Sequence, residues 1–306
     1  MAEAIKEIIG GHQLTGIEVL GGRYSKGLDH LDQIRQVLPL PINTVNVKGK
    51  FCWIDLTGDW YIAITFGMSG GIYYEPTDEV LASYSQQVGK MVTREEYMKH
   101  FHVKFTVENG QCFYFGDPRR FGTINISNNR KDLQKKLDDL GPDMLTGPVI
   151  SDEEFIQIFR KPKFADKNIC KVLMEQHAVS GVGNYIKAEV LYECQINPWA
   201  LVSDLDNSAL CQLHKAIRTV AQSAFVGHGA SLYTYSGTRR EKGEFQDMLK
   251  VYGKTMDPIG HPVAIISEDQ SPDKRTTHYV PIIQIIGNHR DPNNVVKKKI
   301  IIKIKS

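Results

Sequence analysis

The 306-residue chain lacks any cysteine pair at metal-ligating or redox spacing. Its five cysteines, at 52, 112, 170, 194 and 211, stand singly in segments that read as core, which excludes a disulfide framework and a zinc finger. No apolar run approaches the length needed to span a bilayer. The opening, Met1-Ala-Glu-Ala-Ile-Lys6, lacks the basic-then-apolar order of a signal peptide, so the protein is expected inside the cell, in cytoplasm or nucleus, with no membrane partner. There is also little net charge. A formal +2 gives no bulk argument for nucleic acid, and only local clustering of basic residues can supply one. No internal repeat is visible, which excludes a solenoid.

What is present is the composition of a globular protein, 42% hydrophobic and 24% charged, in a chain long enough for two domains with separate cores. Basic residues do cluster, at Arg119-Arg120, Arg130-Lys131 with Lys135-Lys136, Arg160-Lys161 with Lys163, Arg239-Arg240 and Lys297 to Lys299. Such runs read as solvated faces unless a motif accompanies them.

Residues 1 to about 10 read as a helix. From Ile17 to about Ile126, short alternating runs such as Phe51-Cys-Trp-Ile-Asp-Leu56 and Phe113-Tyr-Phe115 predict strands, arranged as an antiparallel sandwich or barrel. Helical periodicity follows over Leu133 to Leu140, Asp152 to Phe159, Ile169 to Val179, Tyr185 to Cys194 and Asn207 to Ala224, punctuated by Pro142, Pro148 and Pro162. A Gly/Ser/Tyr-rich loop then leads to a late hairpin, with strands near Pro262 to Ser267 and Thr276 to Ile286. The fold class expected is α+β. Its domains are residues 1–130 (helix and β-sandwich), 131–245 (helical), 246–286 (hairpin) and 287–306 (basic tail, disordered, a frayed edge strand or a phosphate-contacting arm).

The most informative stretch is Ser180-Gly-Val-Gly-Asn184-Tyr185, set between two helix-like runs. Helices meeting through such a turn point backbone N–H groups at a phosphate, with Asn184 adding a side-chain donor. The same pattern serves nucleotide sites and ordinary turns. A nucleotide site would need a strand-turn-helix unit with a downstream acidic residue, which the surroundings of Gly181 and Gly183 lack.

Taken in order, Lys48-Gly-Lys50-Phe51, Phe66-Gly-Met-Ser-Gly70, Asp117-Pro-Arg-Arg-Phe-Gly122, Leu140-Gly-Pro-Asp143, Ser180-Gly-Val-Gly-Asn184 and Lys250-Val-Tyr-Gly253 resemble the formamidopyrimidine-DNA glycosylase / endonuclease VIII family, over about Gly16 to Gln284. The resemblance implies a β-sandwich domain and a helix-two-turn-helix domain with a DNA-binding finger. It implies a bifunctional DNA glycosylase and abasic-site lyase of base-excision repair, a monomer needing no cofactor. Its partner would be double-stranded DNA carrying an oxidised base or an abasic site.

Such an enzyme must flip the nucleotide and fill the hole it leaves. Met68, Arg119 and Phe121 fall where the family places its void-filling triad, although by spacing alone Met68 and Phe121 read as core. Lys50 matches the family's lysine near the lesion phosphate. His100, in Lys99-His-Phe-His102, matches a DNA-contacting histidine, and by itself also reads as a surface histidine without a role. Gly181, Gly183 and Asn184 match the phosphate-gripping turn.

Three departures from the pattern stand out. Where many members carry a histidine before Gly-Met-Ser-Gly, this chain has Thr65-Phe66, which puts one phosphate contact in doubt. The finger segment, Lys254 to Gln284, has no cysteine, so a zincless finger is expected, with no metal and with Arg275 on the arginine such fingers push into the lesion site. Lastly, the family's nucleophile is an N-terminal proline amine followed by glutamate, and the chain does not open on Pro-Glu. The readings are a start lying upstream, an Ala2-Glu3 copy of the dyad, or a non-catalytic damaged-DNA-binding homologue. Substrate preference stays open. Ser231 to Gln246, ending Gly243-Glu-Phe-Gln246, resembles the purine-capping loop, whereas the zincless finger resembles the oxidised-pyrimidine branch.

Overall fold

The computed structural model describes residues 6, 9–67, 70–227 and 245–292. Met68, most of the first ten residues, the loop 228–244 and the tail 293–306 therefore lie outside the described residues, and with them most of the expected first helix, of the capping loop Ser231 to Gln246 and of the basic tail 287–306. The chain divides into two compact units, one running to Leu137 and the other taking up at Asp138.

In the first unit, β1 (Gln13–Val19), α1 (Leu31–Val37), β2 (Leu40–Lys48), β3 (Phe51–Leu56), β4 (Tyr61–Thr65) and β5 (Gly71–Tyr74) precede α2 (Asp78–Val88) and α3 (Arg94–Met98). Then come β6 (Phe101–Val107), β7 (Cys112–Gly116), β8 (Thr123–Ser127) and α4 (Arg130–Asp139), within which the first unit ends. The strands run antiparallel in the order β5-β7-β6-β1-β2-β3-β4-β8. β1 and β2 meet only at Gln13–Pro41 and Leu14–Leu40, so the sheet hinges there into two four-stranded halves. Ile17, Phe105, Phe113 and Phe115 from one half and Ile54, Ile62, Ile64 and Ile126 from the other share one core, which is a sandwich.

Helices α2 and α3 correct the expectation of strands throughout this region. Thr77 accepts the Val80 amide and Gly89 ends α2 in the left-handed conformation. Thr93 and Glu96 close a reciprocal capping box on α3. Two capped turns thus override the alternating aromatics around them. These helices cover a satellite cluster of Val92, Tyr97, Phe101 and Tyr114.

The second unit contains α5 (Asp152–Phe159), α6 (Pro162–Ala165), α7 (Ile169–Met174), α8 (Asn184–Glu193), α9 (Asn207–Val226) and α10 (Phe245–Met248), then a hairpin of β9 (Ala264–Ile266) and β10 (Thr277–Tyr279). Ser151 with Glu154 boxes the start of α5, and Asp206 caps α9 through the Ala209 amide. Phe155, Phe159, Leu173, Val190, Leu210 and Leu213 fill the helical core. α7 ends five residues before Val179, because Glu175 turns extended (φ −77°, ψ 104°). The last strand is also shorter than the run Thr276 to Ile286: the chain turns at Val280, whose carbonyl accepts from both Ile283 and Gln284 while its amide donates to Gln284 Oε1. A smaller cluster of Ala188, Val251, Val263 and Val280 seats the hairpin on α8.

Candidate nucleic-acid interface

The expected site residues fall on both units. In the first, Lys50 and Gly49 form the two-residue turn between β2 and β3, because Lys48 pairs with Phe51. The lysine is exposed at a sheet end.

Between β7 and β8 the turn Asp117–Gly122 carries Arg119 and Phe121. Asp117 is fully buried. Its carboxylate accepts from the amides of Arg119 at 3.2 Å and Gly122 at 2.6 Å, and its carbonyl accepts from Arg120 at 3.2 Å. Behind it, His102 Nε2 lies 2.9 Å from the Asp117 carbonyl, and the His100 carbonyl accepts the Asp117 amide at 3.0 Å. Arg120 takes φ 58°, and its carbonyl is held by the Arg23 guanidinium. The outcome is a fixed turn that leaves Phe121 54% exposed, with the Arg119 guanidinium 5.0 Å from its ring centroid. An exposed phenylalanine on a rigid turn is not core packing; it is available to a partner.

The neighbouring loop approaches closely. A Cβ on Gly67 (φ 58°) would come within 2.8 Å of the Gly122 nitrogen and Phe121 Cβ, so only glycine fits beside that turn. This sets the residue before Met68 against Phe121. Thr65, of the Thr65-Phe66 pair that replaces the family's histidine, spends its hydroxyl on Thr123, at 2.7 Å from Thr123 Oγ1 and 3.1 Å from the Thr123 amide. It is a structural link between β4 and β8.

His100 is half-buried. Burial, then the charges of Lys99, His102 and Arg120, hold its pKa below the ordinary histidine value. The shift favours the neutral ring, which offers a hydrogen bond.

In the second unit, the turn between α7 and α8 is built around Gln176. Its Oε1 accepts the Gly181 amide at 3.0 Å, and its Nε2 donates to the carbonyls of Met174 and Val182 at 3.2 and 3.1 Å. The Gly181 amide is therefore already engaged, contrary to the picture of bare amides along the whole turn. Gly183 caps α8 without a side-chain hydrogen bond. Leu140-Gly-Pro-Asp143 packs on the same turn: the Gly141 amide donates to Gln176 O at 2.9 Å and the Ser180 amide to Pro142 O at 3.0 Å. Asn184 Nδ2 does not point outward as a spare donor. It donates to the Thr276 carbonyl at 2.8 Å, beside Arg275.

The hairpin turn is held from α8. Lys187, fully buried, pairs with Asp273 at 2.6 Å and donates to Thr277 Oγ1 at 3.1 Å. Asp273 Oδ1 in turn accepts the Arg275 amide at 3.3 Å. Glu189, also buried, accepts three successive amides, Lys250, Val251 and Tyr252, at 2.8 to 3.0 Å, which accounts for the Lys250-Val-Tyr-Gly253 motif. Of the two finger histidines, His261 bonds Asp257, and His278 is buried against Tyr252 with ring centroids 4.7 Å apart.

Lys187, Glu189, Asp117, His102 and Gln176 were absent from the sequence-based site. Asp117 and His102 sat inside quoted motifs, but nothing in one chain marks them as buried. Lys187 and Glu189 carry charge among apolar neighbours on α8, buried from Ile186 to Leu191, and that conflict was the available signal.

Comparison with known proteins gives a consistent result. The family described as the formamidopyrimidine-DNA glycosylase N-terminal domain matches residues 1–124, and that described as the formamidopyrimidine-DNA glycosylase H2TH domain matches 140–235. The formamidopyrimidine-DNA glycosylase of Listeria innocua is 30% identical over 287 residues, 92% of this chain and 95% of the relative. That of Bacillus cereus is 30% identical over 212 residues, 68% of this chain and 75% of the relative. Among solved structures, the Lactococcus lactis enzyme in complex with DNA containing an abasic site superposes with a TM-score of 0.75 at 26% identity, covering 93% of this chain and 96% of that one.

Proposed function

From the premise that the chain belongs to the formamidopyrimidine-DNA glycosylase family, DNA glycosylases of base-excision repair, we propose that it removes oxidised bases from duplex DNA and cleaves the strand at the abasic site. The observation that carries this reading is the exposed Phe121 under Arg119 on a turn pinned by buried Asp117. An aromatic wedge with a cation at its side replaces the stacking lost when a base is flipped out, a loss of a few kcal/mol. The Lactococcus lactis relative is seen with abasic-site DNA, and duplex DNA of that kind is the partner proposed here.

Each expected residue then has a role. Met68, Arg119 and Phe121 fill the void. Gly183 and Asn184 offer their backbone amides to a phosphate, with Gly181 shaping the turn at φ 94°. His100 adds a hydrogen bond. Lys50 and Arg275 place positive charge at the phosphates flanking the flipped sugar, where charge develops as the strand breaks. The chemistry is attack by an amine at C1′, departure of the base, a Schiff base and then elimination. No described residue is assigned as that amine.

Borohydride trapping on an abasic-site duplex tests the reaction. The reading expects a covalent adduct from this chain or from one extended upstream to restore Met-Pro-Glu, abolished by competing unlabelled abasic duplex. Trapping by neither, with tight binding retained, overturns the lyase and leaves a damaged-DNA-binding protein.

A further inference from the structure

The hairpin that carries Arg275 has very little sheet to stand on. Its strands share three residue pairs, Thr277–Ile266, His278–Ile265 and Tyr279–Ala264, joined by a ten-residue connection. A two-stranded hairpin of this size is marginal by itself. Arg275 nevertheless has a fixed backbone: its amide donates to Asp273 Oδ1 at 3.3 Å, its carbonyl accepts from Thr277 Oγ1 at 3.2 Å, and the next carbonyl, of Thr276, accepts from Asn184 Nδ2 at 2.8 Å.

These contacts converge on one buried cation. Lys187 Nζ lies 2.6 Å from Asp273 Oδ2 and 3.1 Å from Thr277 Oγ1, with the lysine and aspartate side chains 0% and 1% exposed. Ser271 Oγ closes the set, donating to Asp273 Oδ1 at 2.8 Å and meeting Thr277 Oγ1 at 2.7 Å. Both groups that grip the Arg275 backbone, the Asp273 carboxylate and the Thr277 hydroxyl, are thus gripped by Lys187. Asn184, three residues earlier in α8, lies on the same helix face.

We propose that the Lys187–Asp273 ion pair is the positioning element of the finger, fixing Arg275 at the start of α8 so that lesion preference depends on Lys187, a residue buried away from any DNA. A buried pair is weak evidence for stability, because apolar side chains of similar volume can replace it with little loss. Its value here is registry: a lysine and an aspartate with three oriented hydrogen bonds admit one placement of the turn, whereas an apolar pair admits several. The proposal deepens the reading of Arg275 given above and rests on it.

The test is a cycle on the full chain, reading affinity for an abasic-site duplex over the same intact duplex. Variants are R275A, K187M/D273L, and the three substitutions together, each checked for an unfolding midpoint near that of the parent. K187M/D273L is expected to lose lesion preference by about tenfold, the scale of one charge-assisted contact, with intact-duplex affinity unchanged. Adding it to R275A is expected to change nothing further, because the pair acts through Arg275. Unchanged preference in a folded K187M/D273L, where R275A lowers it, overturns the positioning role alone. The same fall appearing on top of R275A also overturns it. If R275A itself leaves preference unaltered, the assignment of lesion reading to Arg275 fails and the proposal falls with it. Should the apolar pair not fold, Lys187→Gln with Asp273→Asn keeps hydrogen-bonding capacity and enters the same cycle.

Discussion

Phe121 and Arg275 are carried by turns built in opposite ways. The Phe121 turn hangs between β7 and β8, strands of an eight-stranded sheet, and β8 alone shares five residue pairs with β4. Asp117 shapes it, with His102 and Arg23 on its carbonyls, all from within the same unit. The Arg275 turn closes a hairpin of three pairs and is held instead by buried charge reaching across from α8. Where the ladder is long, the loop inherits its order from the sheet. Where the ladder is short, order comes from side chains on a helix behind it.

The largest effect expected from this contrast is on stability. Lys187→Met alone leaves the Asp273 carboxylate buried without its cation, which costs about 3–5 kcal/mol. Asp117→Ala removes an acceptor from two backbone amides and costs about 1–3 kcal/mol. Chemical denaturation of both variants orders them. Equal losses would break the comparison.

A smaller effect separates the units by pH. Burial, reinforced by the Lys187 charge, holds the His278 pKa below the ordinary 6.5. The fold therefore favours the neutral ring, and this contribution is complete above pH 6.5 and lost as pH falls through the lowered folded value. The unfolding midpoint should decline on acidification, and His278→Phe should flatten part of that decline. His100 is shifted in the same direction but is half-exposed, so His100→Phe should flatten it less. The reverse order would show that the first unit carries the acid sensitivity.

Much of this was legible in one sequence. Strand alternation in Phe51–Leu56, the helical period of Asp152–Phe159 and of Asn207 to Ala224, and the turn containing Gly181 and Gly183 all follow from local pattern. The capped helices α2 and α3 were also locally encoded, by Thr77 and Thr93, but flanking aromatics outweighed those short signals. Lys187 and Glu189 were marked only by the apolar residues around them, and what they hold was not legible. A lysine or glutamate on a helix reads as solvated, and their partners, Asp273 and the amides of 250–252, lie 61 to 86 residues away. Asn184 was legible as a helix-start residue but not as a donor already spent on Thr276.

The central claim is that each unit presents one lesion-reading side chain on a turn fixed from within its own unit. The direct measurement is the affinity of F121A and R275A for an abasic-site duplex over an intact one, made side by side at one salt concentration. The account predicts that each variant loses about tenfold in that ratio or more, stacking and charge-assisted contacts each being worth at least that, with intact-duplex binding little changed. Equal losses on both duplexes would contradict it, because Phe121 and Arg275 would then be general DNA contacts.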